Sequence, residues 1–205
     1  HDISRAYLSY ESRRVAAGIG YIKFDGFAPE VAEKVRADVQ SFRDAPGIII
    51  DLRGNPGGIG TIGAEIAGSI LEKPATLVKY KTRTATVPLR VHPQKRIYSG
   101  SIVILIDGLS RSASEILAAG LQEIGRAKVI GERSPGDCLA GALWKLPTGS
   151  ILMVPVGDVE TPAGKLLEGH GVVPDIEIKL TRAALLAGVD PALQEAIKYI
   201  DQQHH

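Results

Sequence analysis

The chain has 205 residues, 44% of them hydrophobic and 23% charged, which suits one compact domain with a full core. A formal net charge of +1 with no basic block gives no support to nucleic-acid binding. One cysteine, Cys138, rules out an intrachain disulfide, and no apolar run is long enough to span a membrane. Residues 1–17 have no clear period and read as a lead-in. The alternation in Gly18–Phe24 predicts a strand. Val31, Val35, Val39 and Phe42 predict a helix over Pro29–Phe42, stopped at Ala45-Pro46-Gly47. Ile48–Leu52 is a short β-branched run, the pattern of a buried parallel strand, and a glycine-rich turn, Gly54–Gly58, leads from it to a helix over Ile62–Leu71. Lys73–Arg90 reads as strand and loop. Ser101–Ile106 predicts a strand, and Ile116–Leu121 lies in a helix. Ala127–Gly131, Cys138–Leu146, Ile151–Val156 and Asp175–Ile178 read as strands, and Thr181–Ala187 and Pro191–Ile200 as helices. Strands alternating with helices predict an α/β class with a mostly parallel sheet and crossover helices.

Two turns carry candidate chemistry. Asp107–Ile116 (D-G-L-S-R-S-A-S-E-I) joins a strand to a helix and sets three serines beside the free N–H groups of a helix N-terminus, where a developing alkoxide is favoured. The same residues form a capping box, Ser112 with Glu115 three positions on. In Asp51–Gly58 (D-L-R-G-N-P-G-G), consecutive glycines allow close backbone approach and can aim N–H groups into one concavity. A P-loop is not indicated, since the Lys-Ser/Thr ending is missing. Bland roles suit the neighbours: Arg53 tying the glycine turn to a carboxylate, Asp51 bonding turn amides, Glu115 capping its helix, Cys138 as a small buried hydrophobe, Trp144 in the core or a groove wall.

Together these stretches resemble the catalytic core of the C-terminal processing (tail-specific) proteases, peptidase family S41, of the ClpP/crotonase-like fold, whose relatives include the tricorn core and interphotoreceptor retinoid-binding protein. The resemblance runs from Gly20–Phe24 through Ile50–Gly58 and Ser110–Ile116 to Gly125–Glu132, Leu146–Ser150 and Glu168–Asp175, in the family's order. It divides the chain into the lead-in 1–17, a peptidase core 18–180, C-terminal helices 181–203 and a tag remnant 204–205. It implies Ser112, the middle serine of S-x-S-x-S-E, as nucleophile, and an oxyanion hole from the N–H of Gly57 or Gly58 and that of Ala113. It further implies a polypeptide substrate, no metal or organic cofactor, and a periplasmic, cell-envelope or extracellular setting. Family members usually carry a PDZ domain upstream, for which too few residues precede Gly18; the oligomeric state is left open.

The family's general base is a lysine in a T-x-G-K turn. Here that turn reads Ser134-Pro135-Gly136-Asp137, so the Ser-Lys dyad is replaced at Asp137. A carboxylate with an ordinary pKa of about 4 is a poor base for a serine hydroxyl at neutral pH. Tricorn-type relatives use a histidine and a glutamate instead, which points to Glu168 with His170 or His92; Lys23 and Lys145 are alternative amines. The expectation is a serine endopeptidase core acting through an acyl-enzyme at Ser112, weak or inactive as it stands. The rival is a non-catalytic ligand- or peptide-binding module on the same fold; an acyl-CoA enzyme of crotonase type is a third reading, which would not need the serine.

Overall fold

The isoleucine run sits at the centre of the molecule. In a computed structural model, which describes residues 8–203, β3 (Gly47–Asp51) is buried at every position. It lies parallel between β2 (Gly20–Phe24) and β6 (Ser101–Ile106), and β7 (Lys128–Gly131) and β10 (Ile176–Glu177) continue the sheet in parallel beyond β6. Burial on both faces is what a continuous β-branched run requires. Alternation sorts the side chains. Ile48, Ile50, Ile102 and Ile104 face a core closed by α1 (Pro29–Ser41), α2 (Gly60–Ala67) and α3 (Ala113–Glu123). Ile49, Val103 and Leu105 face Ala192, Ala196 and Ile200 of α5 (Pro191–Gln203). α5 follows the short α4 (Arg182–Leu186) and lies so close to the sheet that a Cβ on Gly47 would meet Ile200 at 2.6 Å.

The sequence expectation of an α/β core with a mostly parallel sheet holds, with two additions. Residues Tyr10–Arg14 form β1, antiparallel on the free edge of β2. Its sequence, Y-E-S-R-R, has no strand period because an edge strand exposed on both faces needs none; pairing alone orders it. The second addition is a four-stranded antiparallel sheet, in the order β5-β4-β9-β8. Lys73–Arg90 becomes the hairpin β4 (Ala75–Thr82) and β5 (Thr86–Val91). β9 (Ile151–Glu160) joins β4, and β8 (Leu139–Lys145) pairs outside β9. This sheet is tied to the body by α3, where Gly120 lets the helix press onto the backbone of Leu77; a Cβ there would lie 2.6 Å from the Leu77 carbonyl oxygen. Beyond Cys138, β8 and β9 run out as an arm. Trp144, expected in the core or a groove wall, is exposed on that arm. Alternation gave its partner strand but not how far the pair projects from the body.

Arg53 locks α5 to the C-terminal edge of β3. Its guanidinium donates to Asp51 at 2.9 and 2.6 Å and to Asp190, just before α5, at 2.8 and 2.7 Å. Asp51 is fully buried and also accepts the Tyr21 hydroxyl at 2.7 Å. Burial raises the Asp190 carboxyl, but the Arg53 hydrogen bonds outweigh it and hold the group below the ordinary carboxylate range. Arg53→Ala leaves the buried Asp51 side chain without its main partner, a change that costs about 3 kcal/mol or more, measurable by denaturant unfolding at neutral pH. A depressed folded pKa supports stability that is present above the unfolded value, about 4, and lost as pH falls through the folded one. Acid unfolding of the parent should therefore steepen below about pH 4, and Arg53→Ala should flatten that part of the curve.

Candidate active site

Because β3 and β6 are parallel and adjacent, with Asp51 level with Leu105, their C-terminal ends lie side by side. Crevices outside such strand ends are where open parallel sheets bind ligands. The turns that leave them are stitched together. Gly54 donates to the Asp107 carboxylate at 3.0 Å and Arg111 N–H to the Asn55 carbonyl at 3.0 Å. Two of the three serines serve the same purpose. Ser110 Oγ donates to the Leu52 carbonyl at 2.8 Å, and Ser114 Oγ to the Asn55 carbonyl at 3.0 Å; both residues are fully buried. Ser112, between them, is half-buried at the N-terminus of α3.

Ser112 holds φ 53° and ψ −113°, and only Ala17 shares a positive φ among the described non-glycine residues. Such a conformation costs roughly 1–3 kcal/mol and persists only where the surroundings over-determine it. Here the Ser112 N–H donates both to Glu115 Oε2 at 2.9 Å and to the Asp137 carbonyl at 3.1 Å. Glu115 is fully buried, and it also accepts Ser134 Oγ at 2.6 Å and the Gly136 N–H at 2.8 Å. Burial, partly offset by these donors, raises its carboxyl above the ordinary value. It is therefore more than the helix cap the sequence suggested: one carboxylate joins the serine turn to the 134–137 turn.

The two glycines behave differently. A Cβ on Gly57 would stand 2.8 Å from Ser112 Cβ and 3.0 Å from Ala113 N, so this position must be bare for the turns to meet. Its N–H is taken by Asn55 Oδ1 at 2.8 Å. Gly58, at φ +140°, is exposed, and the bridge to Phe27 uses the Gly57 carbonyl and the Ile59 N–H. Among the described residues, no hydrogen bond uses the N–H of Gly58. Ala113 opens α3, and its N–H has no partner within the helix. Asn55 was overlooked in the sequence, although Asn before Pro-Gly-Gly is an Asx-turn signal. It is fully buried, its Nδ2 donates to the Phe24 carbonyl at 2.8 Å, and it sets the glycine turn against the strand.

Asp137 lies on the turn that touches Ser112, and the contact is through its carbonyl. Its carboxylate is half out in solvent, 2.7 Å from Arg111 Nη1 in an ion pair. Glu168 accepts the Cys138 N–H at 2.7 Å, which places it one residue from Asp137. His170 is exposed, and its Nδ1 meets the Glu168 carbonyl at 2.9 Å rather than the carboxylate, so the two side chains form no His–Glu pair. His92 lies past the far end of α2, its carbonyl against Gly68, about 12 Å of helix from the glycine turn. Lys23 is 3.9 Å from Asp51 on the strand β2. Lys145 ends β8, roughly 20 Å of strand from the turn. None of these nitrogens hydrogen-bonds to Ser112. Cys138 is buried with its Sγ 3.6 Å from the Ser112 carbonyl; burial pushes the thiol pKa up, as suits a packed thiol rather than a nucleophile. No cluster of metal-ligating side chains occurs among the described residues.

Comparison with known proteins bears on the family and the fold. The sequence model of Peptidase family S41 matches residues 18–178. A carboxyl-terminal-processing protease of Picosynechococcus sp. is 31% identical over 159 residues, 77% of this chain and 38% of that protein. The chain thus spans less than half the length of this relative. Among solved structures, the photosystem II D1 C-terminal processing protease superposes with a TM-score of 0.73 at 24% identity, over 84% of this chain and 48% of that one. The tricorn protease does so with a TM-score of 0.69 at 24% identity, over 91% of this chain and 18% of that one. These two share the fold; the family match rests on the sequence, and by it the chain belongs to peptidase family S41.

Proposed function

We propose that this chain is the core of a serine endopeptidase of the C-terminal processing type, with Ser112 as nucleophile. The observation that carries the reading is the division of labour among the serines. Ser110 and Ser114 are spent on carbonyls of the glycine turn, while Ser112 stands in a strained turn packed against Gly57, with the N–H of Ala113 next to it in the chain and that of Gly58 next to Gly57. Ser112 Oγ attacks the scissile carbonyl and gives up its proton. The carbonyl oxygen becomes an oxyanion held by the N–H of Gly58 and Ala113. Collapse expels the amine, which takes a proton, and water then hydrolyses the acyl-enzyme. Gly57 serves by being small, with its N–H already engaged. The substrate is an extended polypeptide.

The proton acceptor is the weak point of this machinery. Asp137 occupies the position of the family's lysine, and its carboxylate pairs with Arg111. Glu168 is engaged by the Cys138 N–H and His170 by a main-chain carbonyl. The same observation favours the rival reading, a non-catalytic binding module. A fluorophosphonate probe separates the two. The parent should label slowly at Ser112 and Ser112→Ala not at all; a folded parent that never labels from neutral to alkaline pH leaves the binding module.

Asp137→Lys should restore a base, because the carbonyl of residue 137 already bonds the Ser112 N–H. General-base assistance is worth roughly 10²–10⁴-fold, so the labelling rate should rise at least about tenfold and climb with pH as the amine deprotonates. A fast parent that this substitution slows would mean that another base operates. Asn55→Ala removes the acceptor for the Gly57 N–H and the donor to the Phe24 carbonyl, and should cost roughly 2 kcal/mol of stability. Its labelling rate should fall further than the thermal shift accounts for when measured well below the melting point. Unchanged labelling in folded Asn55→Ala would detach the glycine turn from the chemistry.

A further inference from the structure

The arm formed by β8 and β9 carries apolar surface that none of the described residues covers. Leu143, Trp144, Ile151 and Met153 are 71, 62, 69 and 72% exposed. Opposed residues share a face, so Leu143 with Met153 opens one side of the ribbon and Trp144 with Leu152 the other. β8 is also the outer strand of its sheet, so among the described residues the polar groups along its free side have no strand partner. Natural edges are blunted by proline, inward charge or a bulge. β8 has no proline, its one charge is the terminal Lys145, and the extra residue of the bulge, Val156, belongs to β9.

Its sequence fits itself. Antiparallel pairing of L-A-G-A-L-W-K with a second copy, centred on Ala142, sets Trp144 across from Ala140 and Leu143 across from Gly141. Trp144 and Leu143 each meet a small side chain, on both halves of the pair, and Leu139 meets Lys145 at its ends. We propose that the free edge of β8 pairs with β8 of a second copy about a two-fold axis at Ala142, joining the two four-stranded sheets into one. A stretch of substrate laid along the same edge would also complete the sheet, but would draw no advantage from small residues on one side of Ala142 and large ones on the other.

The test uses sedimentation equilibrium together with the emission of Trp144, the chain's only tryptophan. A dimer should form with rising concentration, and the emission should shift to the blue over the same range. Ala142→Glu and Ala142→Lys each bring like charges together across the axis, so each should be monomeric with the circular dichroism of the parent. Their equimolar mixture should recover the dimer. A parent that stays monomeric overturns the proposal, including one whose Trp144 emission shifts only when a peptide is added. So does a dimer that survives in both variants, or folded variants whose mixture stays monomeric. If either variant fails to fold, the parent decides: dimerisation without a blue shift places the contact elsewhere and overturns the proposal, and dimerisation with one supports it.

Discussion

One carbonyl organises the site. The Asn55 oxygen accepts both the Arg111 N–H and the Ser114 hydroxyl, and so binds the turn after β3 to the turn after β6. A parallel pair of strands brings two loops to the same edge but does not fix their relative height. Two donors converging on a buried acceptor fix it, since withdrawing either would leave a polar group unsatisfied away from water. The bare position at Gly57 is the steric counterpart, because nothing larger than hydrogen fits between that backbone and Ser112. Attraction at Asn55 and close approach at Gly57 together leave the serine turn little freedom, which is how an unfavourable φ at Ser112 is maintained.

The larger features of the fold were open to a reader of the sequence because they rest on local pattern. Ile48–Ile50 marked the central strand, Val31, Val35 and Val39 the face of α1, and the two turns stood out by composition. What was hidden depends on contacts between distant residues. β1 has no pattern of its own and exists because β2 offers an edge. Trp144 reads as a core residue in any window, and only the way β8 leaves the body exposes it. At the site, the resemblance pointed to Ser112, but the reason Ser110 and Ser114 differ from it lies in carbonyls 58 and 59 residues away along the chain. The choice between Gly57 and Gly58 turned on the Asn55 side chain. His170 and Glu168 are neighbours in sequence, yet the ring reaches the backbone of Glu168 and not its carboxylate.

Asp137 gives the site an electrostatic character unlike that of a Ser-Lys dyad. Its carboxylate is balanced by Arg111 on the serine turn itself, so the pair bridges the two turns at the surface. An exposed pair of this kind adds little to stability. In the proposed mechanism its effect is on reactivity, since it would place a neutralised carboxylate where the family's amine would accept a proton. Glu115, buried beneath, adds a second acidic group that serves only as an acceptor of hydrogen bonds. The proposed nucleophile is thus well placed and poorly assisted.

The positive φ of Ser112 has a consequence for the folding free energy of the chain. Only glycine occupies that region without penalty, so the native state carries a local excess of energy for as long as any other side chain stands at 112. The residue that relaxes the turn is also the one that removes the hydroxyl. Stability and the proposed nucleophilic role are opposed at a single Cα, and the serine there holds part of the folding energy in reserve as backbone strain.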